Sequence, residues 1–149
     1  LAIVEAYDVD PLSVETSRAV NVSTRGLVGA GPSKMIAGFV LDGSAARRVL
    51  IRAIGPALAA FGVTGTLAEP SLELYTSKGL LQTTAGAWGL QANADEIRGA
   101  TKVAAAFDLA DGSKDAAMLV TLLPGAWTVQ VGGPSEASGV ALVEVYVLP

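Results

Sequence analysis

Arg47-Arg48-Val49-Leu50-Ile51-Arg52-Ala53-Ile54-Gly55-Pro56 is the stretch on which the fold turns. Side chains of an extended strand alternate between two faces. Val49, Ile51 and Ala53 then share one face, and Leu50, Arg52 and Ile54 share the other. Both faces are mostly apolar, which predicts a central strand covered on both sides. Gly55-Pro56 ends it, and Ala57 to Phe61 reads as a single helical turn. Upstream lies a second long run, Lys34 to Leu41, and Asp42-Gly43-Ser44 between the two reads as a hairpin turn.

The same pattern of short apolar runs and Gly or Pro breaks extends in both directions. Leu1 to Tyr7 and Ala19 to Arg25 read as strands, with Asp8 to Ser17 as a polar connector. Leu72 to Thr76 and Leu80 to Thr84 form a small hairpin about Ser77-Lys78-Gly79. Asn93 sits where a helix N-cap belongs, with Asp95 and Glu96 in the first turn. Ile97, Val103, Ala104 and Phe107 then share a helical face, which predicts one helix over about residues 94–107. Ala116 to Leu123 and Trp127 to Val131 flank Pro124-Gly125-Ala126 and read as adjacent strands, and Val140 to Leu148 closes the chain. Nine strand segments and one helix predict an all-β sandwich with the helix across an end or an open face. The expected division is a terminal strand at 1–9, a linker at 10–17 and the sandwich domain at 18–149.

Composition narrows the chemistry. The 149 residues are 51 % hydrophobic and 16 % charged, which excludes disorder. Without His or Cys there is no Ser-His or Cys-His nucleophile, no zinc finger and no iron–sulfur ligation. A net charge of −4, with scattered Lys and Arg, argues against nucleic acid. No run of about 20 apolar residues predicts a membrane span. The chain begins at Leu1 rather than Met, which reads as a processed or excised product.

The two ends resemble each other. Leu1-Ala2-Ile3-Val4-Glu5-Ala6-Tyr7 aligns without gaps with Val140-Ala141-Leu142-Val143-Glu144-Val145-Tyr146, and four of the seven positions are identical. Register follows from which side chains point inward, so both segments fit one groove. A domain with one such groove has a strand to spare, and a spare apolar strand is a template for pairing with another chain. Leu1, Ile3, Val4, Glu5 and Tyr7 are therefore the candidate donor strand, and Leu142, Val143, Glu144, Val145 and Tyr146 the matching closing strand. Either copy can be the one donated. The C-terminal copy has Val145 and Val147 where the other has Ala6 and Asp8, which predicts deeper burial for it.

Further stretches carry a resemblance: Arg18-Ala19-Val20-Asn21-Val22-Ser23-Thr24-Arg25-Gly26, Ile36-Ala37-Gly38-Phe39-Val40, Val49 to Pro56, Gly112-Ser113-Lys114-Asp115-Ala116-Ala117, Leu123-Pro124-Gly125-Ala126-Trp127-Thr128 and Gly139 to Tyr146. Together they resemble a repeat-type β-rich module found, often C-terminally, in large secreted bacterial surface proteins. The resemblance implies an extracellular, cell-surface location, a structural or binding role and no enzymatic activity. In such modules the Val-Glu-Val-Tyr strand closes one unit before a linker to the next, so the resemblance implies for Leu1–Tyr7 either an exported donor strand or the tail of a preceding unit of a tandem array.

Other candidates have simpler readings. Asp108 to Asp115 clusters oxygen ligands but lacks the EF-hand order, and reads as a solvated turn. Gly29-Ala30-Gly31-Pro32-Ser33-Lys34 has the wrong spacing for a phosphate loop. Glu5 and Glu144 each read as a partner of an Arg, with Arg25 and Arg52 the nearest by type, or as a residue at a sheet edge, rather than as an acid/base pair. Trp127 alternates with Val129 and Val131 and reads as core, whereas Trp88 between Ala87 and Gly89 is a candidate surface aromatic. The resulting expectation is a structural subunit that polymerises with copies of itself by strand donation, without cofactor, metal or catalytic residue. The alternative is a ligand- or glycan-binding accessory module of a multidomain secreted surface protein, with polysaccharide as a partner and Trp88 as the candidate surface aromatic.

Overall fold

Two four-stranded antiparallel sheets lie face to face in the computed structural model, which describes residues 19–149. The expected strand Leu1–Tyr7 and the connector after it lie outside the described residues. The strands are β1 (Asn21–Val28), β2 (Met35–Leu41), β3 (Arg47–Ile54), β4 (Ser71–Thr76), β5 (Leu81–Ala85), β6 (Ala116–Leu122), β7 (Gly125–Gly132) and β8 (Gly139–Val147). The first sheet runs β1-β8-β3-β6 and the second β2-β7-β4-β5. Helix α1 (Ala94–Val103) and two 3-10 turns, Pro56–Phe61 and Trp88–Leu90, complete the fold. The eight strands fall where the alternating runs place them. None of the described helices is long and apolar enough to cross a membrane.

The apolar faces of β3 are covered as its sequence requires. Val49, Ile51 and Ala53 enter the core between the sheets, with Leu72, Leu74, Val129 and Val131 of the second sheet. Leu50 and Ile54 point the other way, into a second core beneath Leu58, Trp88, Ile97 and Leu109. The first sheet is thus sandwiched between the second sheet and a helical layer.

Two expected hairpins are arches instead. β2 pairs with β7, whereas β3 pairs with β6 and β8, so Asp42-Gly43-Ser44 carries the chain from one sheet to the other. Pro124-Gly125 does the same between β6 and β7. A turn signal reports that the chain reverses, and both hairpins and inter-sheet arches satisfy it. Where the reversal stays within one sheet, at β4 and β5, the hairpin forms as expected.

Helix α1 also stops short of the expected 107. Ala105 has φ +52, a left-handed conformation that closes the helix at a cost of roughly 1–2 kcal/mol for a residue with a Cβ. Phe107 therefore leaves the helical face and lies over the Arg52 guanidinium, 4.4 Å from ring centre to Cζ. Asn93 occupies the N-cap position, but its side chain makes no capping hydrogen bond.

One close approach locks β8 to the rest of the domain. Leu67 is fully buried, its amide donates to the Val140 carbonyl at 2.9 Å, and the Val140 amide donates to the Gly65 carbonyl at 2.8 Å. A Cβ on Gly139 would lie 2.5 Å from the Leu67 nitrogen, and one on Gly55 2.0 Å from the Leu67 oxygen. Backbone occupies both spaces, so neither clash is relieved by a rotamer change. Gly139→Ala and Gly55→Ala are each expected to destabilise by about 1–3 kcal/mol, the usual cost of overpacking. Urea denaturation checks this, with Gly86→Ala, where a Cβ meets nothing within 4 Å, as the neutral control.

Candidate functional site

β8, the C-terminal member of the repeated pair, is an interior strand. It pairs with β1 along one edge, from Asn21↔Tyr146 to Val28↔Gly139, and with β3 along the other, from Val49↔Val147 to Ile54↔Leu142. Ala141, Val143 and Val145 are buried between the sheets, and Leu142 and Tyr146 pack on the opposite face. The copy with which its burial was to be compared, Leu1–Tyr7, lies outside the described residues.

Glu144 is buried with Arg52, which settles the choice between Arg52 and Arg25. The Arg52 Nε donates to Glu144 Oε2 at 2.8 Å, and Nη2 lies 2.7 Å from the same oxygen. Arg52 Nη1 donates to the Phe107 carbonyl at 2.6 Å, and the Tyr146 hydroxyl donates to Glu144 Oε1 at 2.9 Å. Arg52 is wholly inaccessible, and Glu144 is its one counter-charge among the described residues. Burial, reinforced by the bond to Glu144, pushes the Tyr146 phenol up to about 12. The pair ties β3 to β8 and, through Phe107, ties both to the helical layer.

Asp115 does a similar task at the end of the same sheet. Its carboxylate accepts from the Gly55 amide at 2.7 Å and the Ala57 amide at 3.2 Å, and the Ser113 hydroxyl also donates to it. It thereby anchors the start of the Pro56–Phe61 turn. Asp111 instead meets Arg98 at 2.7 Å. The acidic cluster from Asp108 to Asp115 is thus divided between different partners. Among the described residues no three carboxylates are grouped to hold a metal ion.

Trp88 corrects an expectation. Its ring is only 2 % exposed, beneath α1, and its Nε1 donates to the Ala110 carbonyl at 3.3 Å. Ala87 bridges Ala116 of β6, and with that segment held against the sheet the indole lies inward. Leu90, two residues on, takes the outer position and is 89 % exposed. Trp127 is half-buried against the inter-sheet core, as its alternation implies.

The surface that stands out is the side of the sandwich bounded by β1 and β2. Each of these strands has a single pairing partner among the described residues. Val20, Val22, Leu27, Ile36 and Val40 lie on or beside them and are 44–73 % exposed. The opposite side differs: β5 is five residues long with a register shift in its pairing, and β6 is flanked by the Ala87 bridge. Above β1, where the helical layer ends, an open groove of about 460 Å³ is lined by Ser23, Arg25, Leu58, Phe61, Phe107 and Leu142, among others. Arg25 makes no ion pair among the described residues, whereas Lys34 beside β2 is held by Glu73 at 2.7 Å.

The candidate donor residues Leu1, Ile3, Val4, Glu5 and Tyr7 lie outside the described residues. Of the matching strand, all five residues lie together on β8. The anchoring role of Asp115 escaped the sequence analysis, although an Asp between Gly112-Ser113 and the apolar start of β6 was the available signal. No protein-family model matches the chain, and no curated protein is significantly similar to it.

Two outcomes follow from the buried pair. Glu144→Gln leaves Arg52 without a counter-charge and is expected to cost about 3–5 kcal/mol, while the double variant Arg52→Met/Glu144→Leu recovers most of that loss. Equilibrium denaturation of the three proteins checks it. Because the Tyr146 phenol is raised, its contribution is intact below the unfolded value near 10 and is lost as pH rises towards 12. The stability difference between the unaltered chain and Tyr146→Phe is thus flat below about pH 10 and shifts in favour of Phe above it, measurable by urea titrations at stepped pH.

Proposed function

We propose that this chain is a non-enzymatic structural subunit that assembles with copies of itself by β-strand addition, contributed by its N-terminal strand Leu1–Tyr7. One observation carries the proposal. The seat that fits the repeated sequence is already filled by the chain's own β8, which is paired on both edges and holds the buried Glu144. The second copy of that sequence is surplus to its own seat, and an apolar surplus strand gains most by joining another sheet edge.

Filling of the seat favours addition at an open edge over exchange of the closing strand. Exchange would require β8 to leave, taking with it the one counter-charge that Arg52 has among the described residues. A head-to-tail contact of this kind is heterologous, and repeated without closure it yields a filament. The resemblance to repeat modules of secreted surface proteins supports an extracellular setting at the cell surface. Burial of the Trp88 indole removes the one surface aromatic on which glycan stacking was expected, and so weakens the ligand- or glycan-binding alternative.

Deletion of residues 1–10 tests the proposal. The full chain is expected to form oligomers whose size grows with concentration, seen by light scattering and negative-stain microscopy, and the truncated chain to remain monomeric with unchanged thermal unfolding. Ile3→Asp should act in the same direction with a smaller effect. Equal assembly by the truncated and full chains would overturn a role for the N-terminal strand.

A further inference from the structure

We infer that the acceptor is the open edge of β1, and that Leu1–Tyr7 of a second copy adds to it antiparallel, in the register by which β8 occupies the other edge. This rests on the strand-addition proposal above and specifies its partner surface. Because Leu1–Tyr7 repeats Val140–Tyr146, the pairing of β1 with β8 supplies the register directly. Tyr7 falls opposite Asn21, Glu5 opposite Ser23, Ile3 opposite Arg25 and Leu1 opposite Leu27.

Three features of β1 fit that occupant. First, directly opposed residues on antiparallel strands point to the same side. Ala2, Val4 and Ala6 then join Gly26, Thr24 and Val22 on the inward side, where Val22 is 44 % exposed. Leu1 covers Leu27, the most exposed apolar side chain of the strand at 72 %. Second, Glu5 lands diagonal to Arg25, a cation with no partner among the described residues, within reach of a long side chain. β2, the other edge on that side, is Met-Ile-Ala-Gly-Phe-Val-Leu and offers no charge at all. Third, Ile3 beside Arg25 borders the groove walled by Phe61 and Phe107, so the added strand extends an existing apolar floor.

Connector length favours a second copy over the chain's own edge. Docking within one subunit makes residues 8–20 a loop of 13 residues joining neighbouring antiparallel strands, at the length where structureless loops become uncommon. Extended, the same residues reach about 40 Å, enough to place the strand on an adjacent domain.

The chain has no cysteine, so paired single substitutions read the contact cleanly. A tagged Glu5→Cys chain is mixed with an untagged Ser23→Cys chain under mild oxidation, and mixed dimers are counted on a non-reducing gel. Cross-linking is expected to be at least about tenfold faster than with Leu27→Cys or Val40→Cys, because a disulfide needs its Cα atoms within roughly 7 Å. Independently, Arg25→Glu should weaken assembly several-fold and Glu5→Lys in the same chain should restore it. A full chain that assembles but cross-links equally at all three positions, or chiefly through Val40→Cys, overturns the β1 edge and leaves strand addition standing. A chain carrying both Glu5→Cys and Ser23→Cys that links only to itself overturns the second copy as occupant. Failure of the unaltered chain to assemble overturns both proposals together.

Discussion

The buried contact between Arg52 and Glu144 is the constraint around which the molecule is organised. A guanidinium with no exposed surface needs a carboxylate fixed by other contacts, and each group here is fixed by several. The Tyr146 hydroxyl takes one oxygen of Glu144, and the Phe107 carbonyl takes one nitrogen of Arg52. Satisfying the pair therefore sets the register of β3 against β8. It also requires α1 to end early, since Phe107 must come down onto Arg52 from outside the helix. A left-handed Ala105 is the local cost of that descent.

The contact also explains why β8 is an interior strand although it is last in the chain. Val143 and Val145 would bury equally well on an edge strand beside the second sheet. Glu144 would not, because its counter-charge stands on β3 and the helical layer closes over both. The close approaches of Gly139 and Gly55 to Leu67 act in the same sense. They bring β8 within hydrogen-bonding distance of the loop before β4, where any larger residue would hold the backbones apart.

Much of this was legible in the sequence, and the failures share a cause. Alternation in Val49 to Ile54 reports burial on both faces because it is a property of one strand and its surroundings. The Glu144 side chain in an apolar strand likewise called for an arginine. The arches at Asp42 and Pro124 were not legible, because a turn encodes the reversal and distant pairing with β7 or β6 decides which sheet receives the next strand. Trp88 failed for a related reason. Its small neighbours suit an open loop, and the bridge between Ala87 and Ala116, which draws the segment to β6, leaves no mark on the local sequence. Asp115 was hidden because its partners are backbone amides, which leave no mark on the sequence.

Redundancy at the two ends acquires a sharper physical meaning once the seat of β8 is known. The glutamate in each copy suits two environments: the sealed one beside Arg52, or a wet one beside an accessible cation. A subunit contains a single Arg52, and its own Glu144 neutralises it. Glu5 lies outside the described residues, and the proposed strand addition places it away from that interior, where a second buried carboxylate would stand unpaired beside a like charge. An exposed sheet edge removes that difficulty, because the outward face of an edge strand remains in contact with water. Of the two described edge strands on the apolar side of the sandwich, β1 contains a positive charge, Arg25, and β2 contains none. Under the proposed strand addition, the residue that locks the C-terminal copy inside is also the reason the N-terminal copy is sent to the surface, and two similar strands take different tasks because Arg52 can serve only one of them.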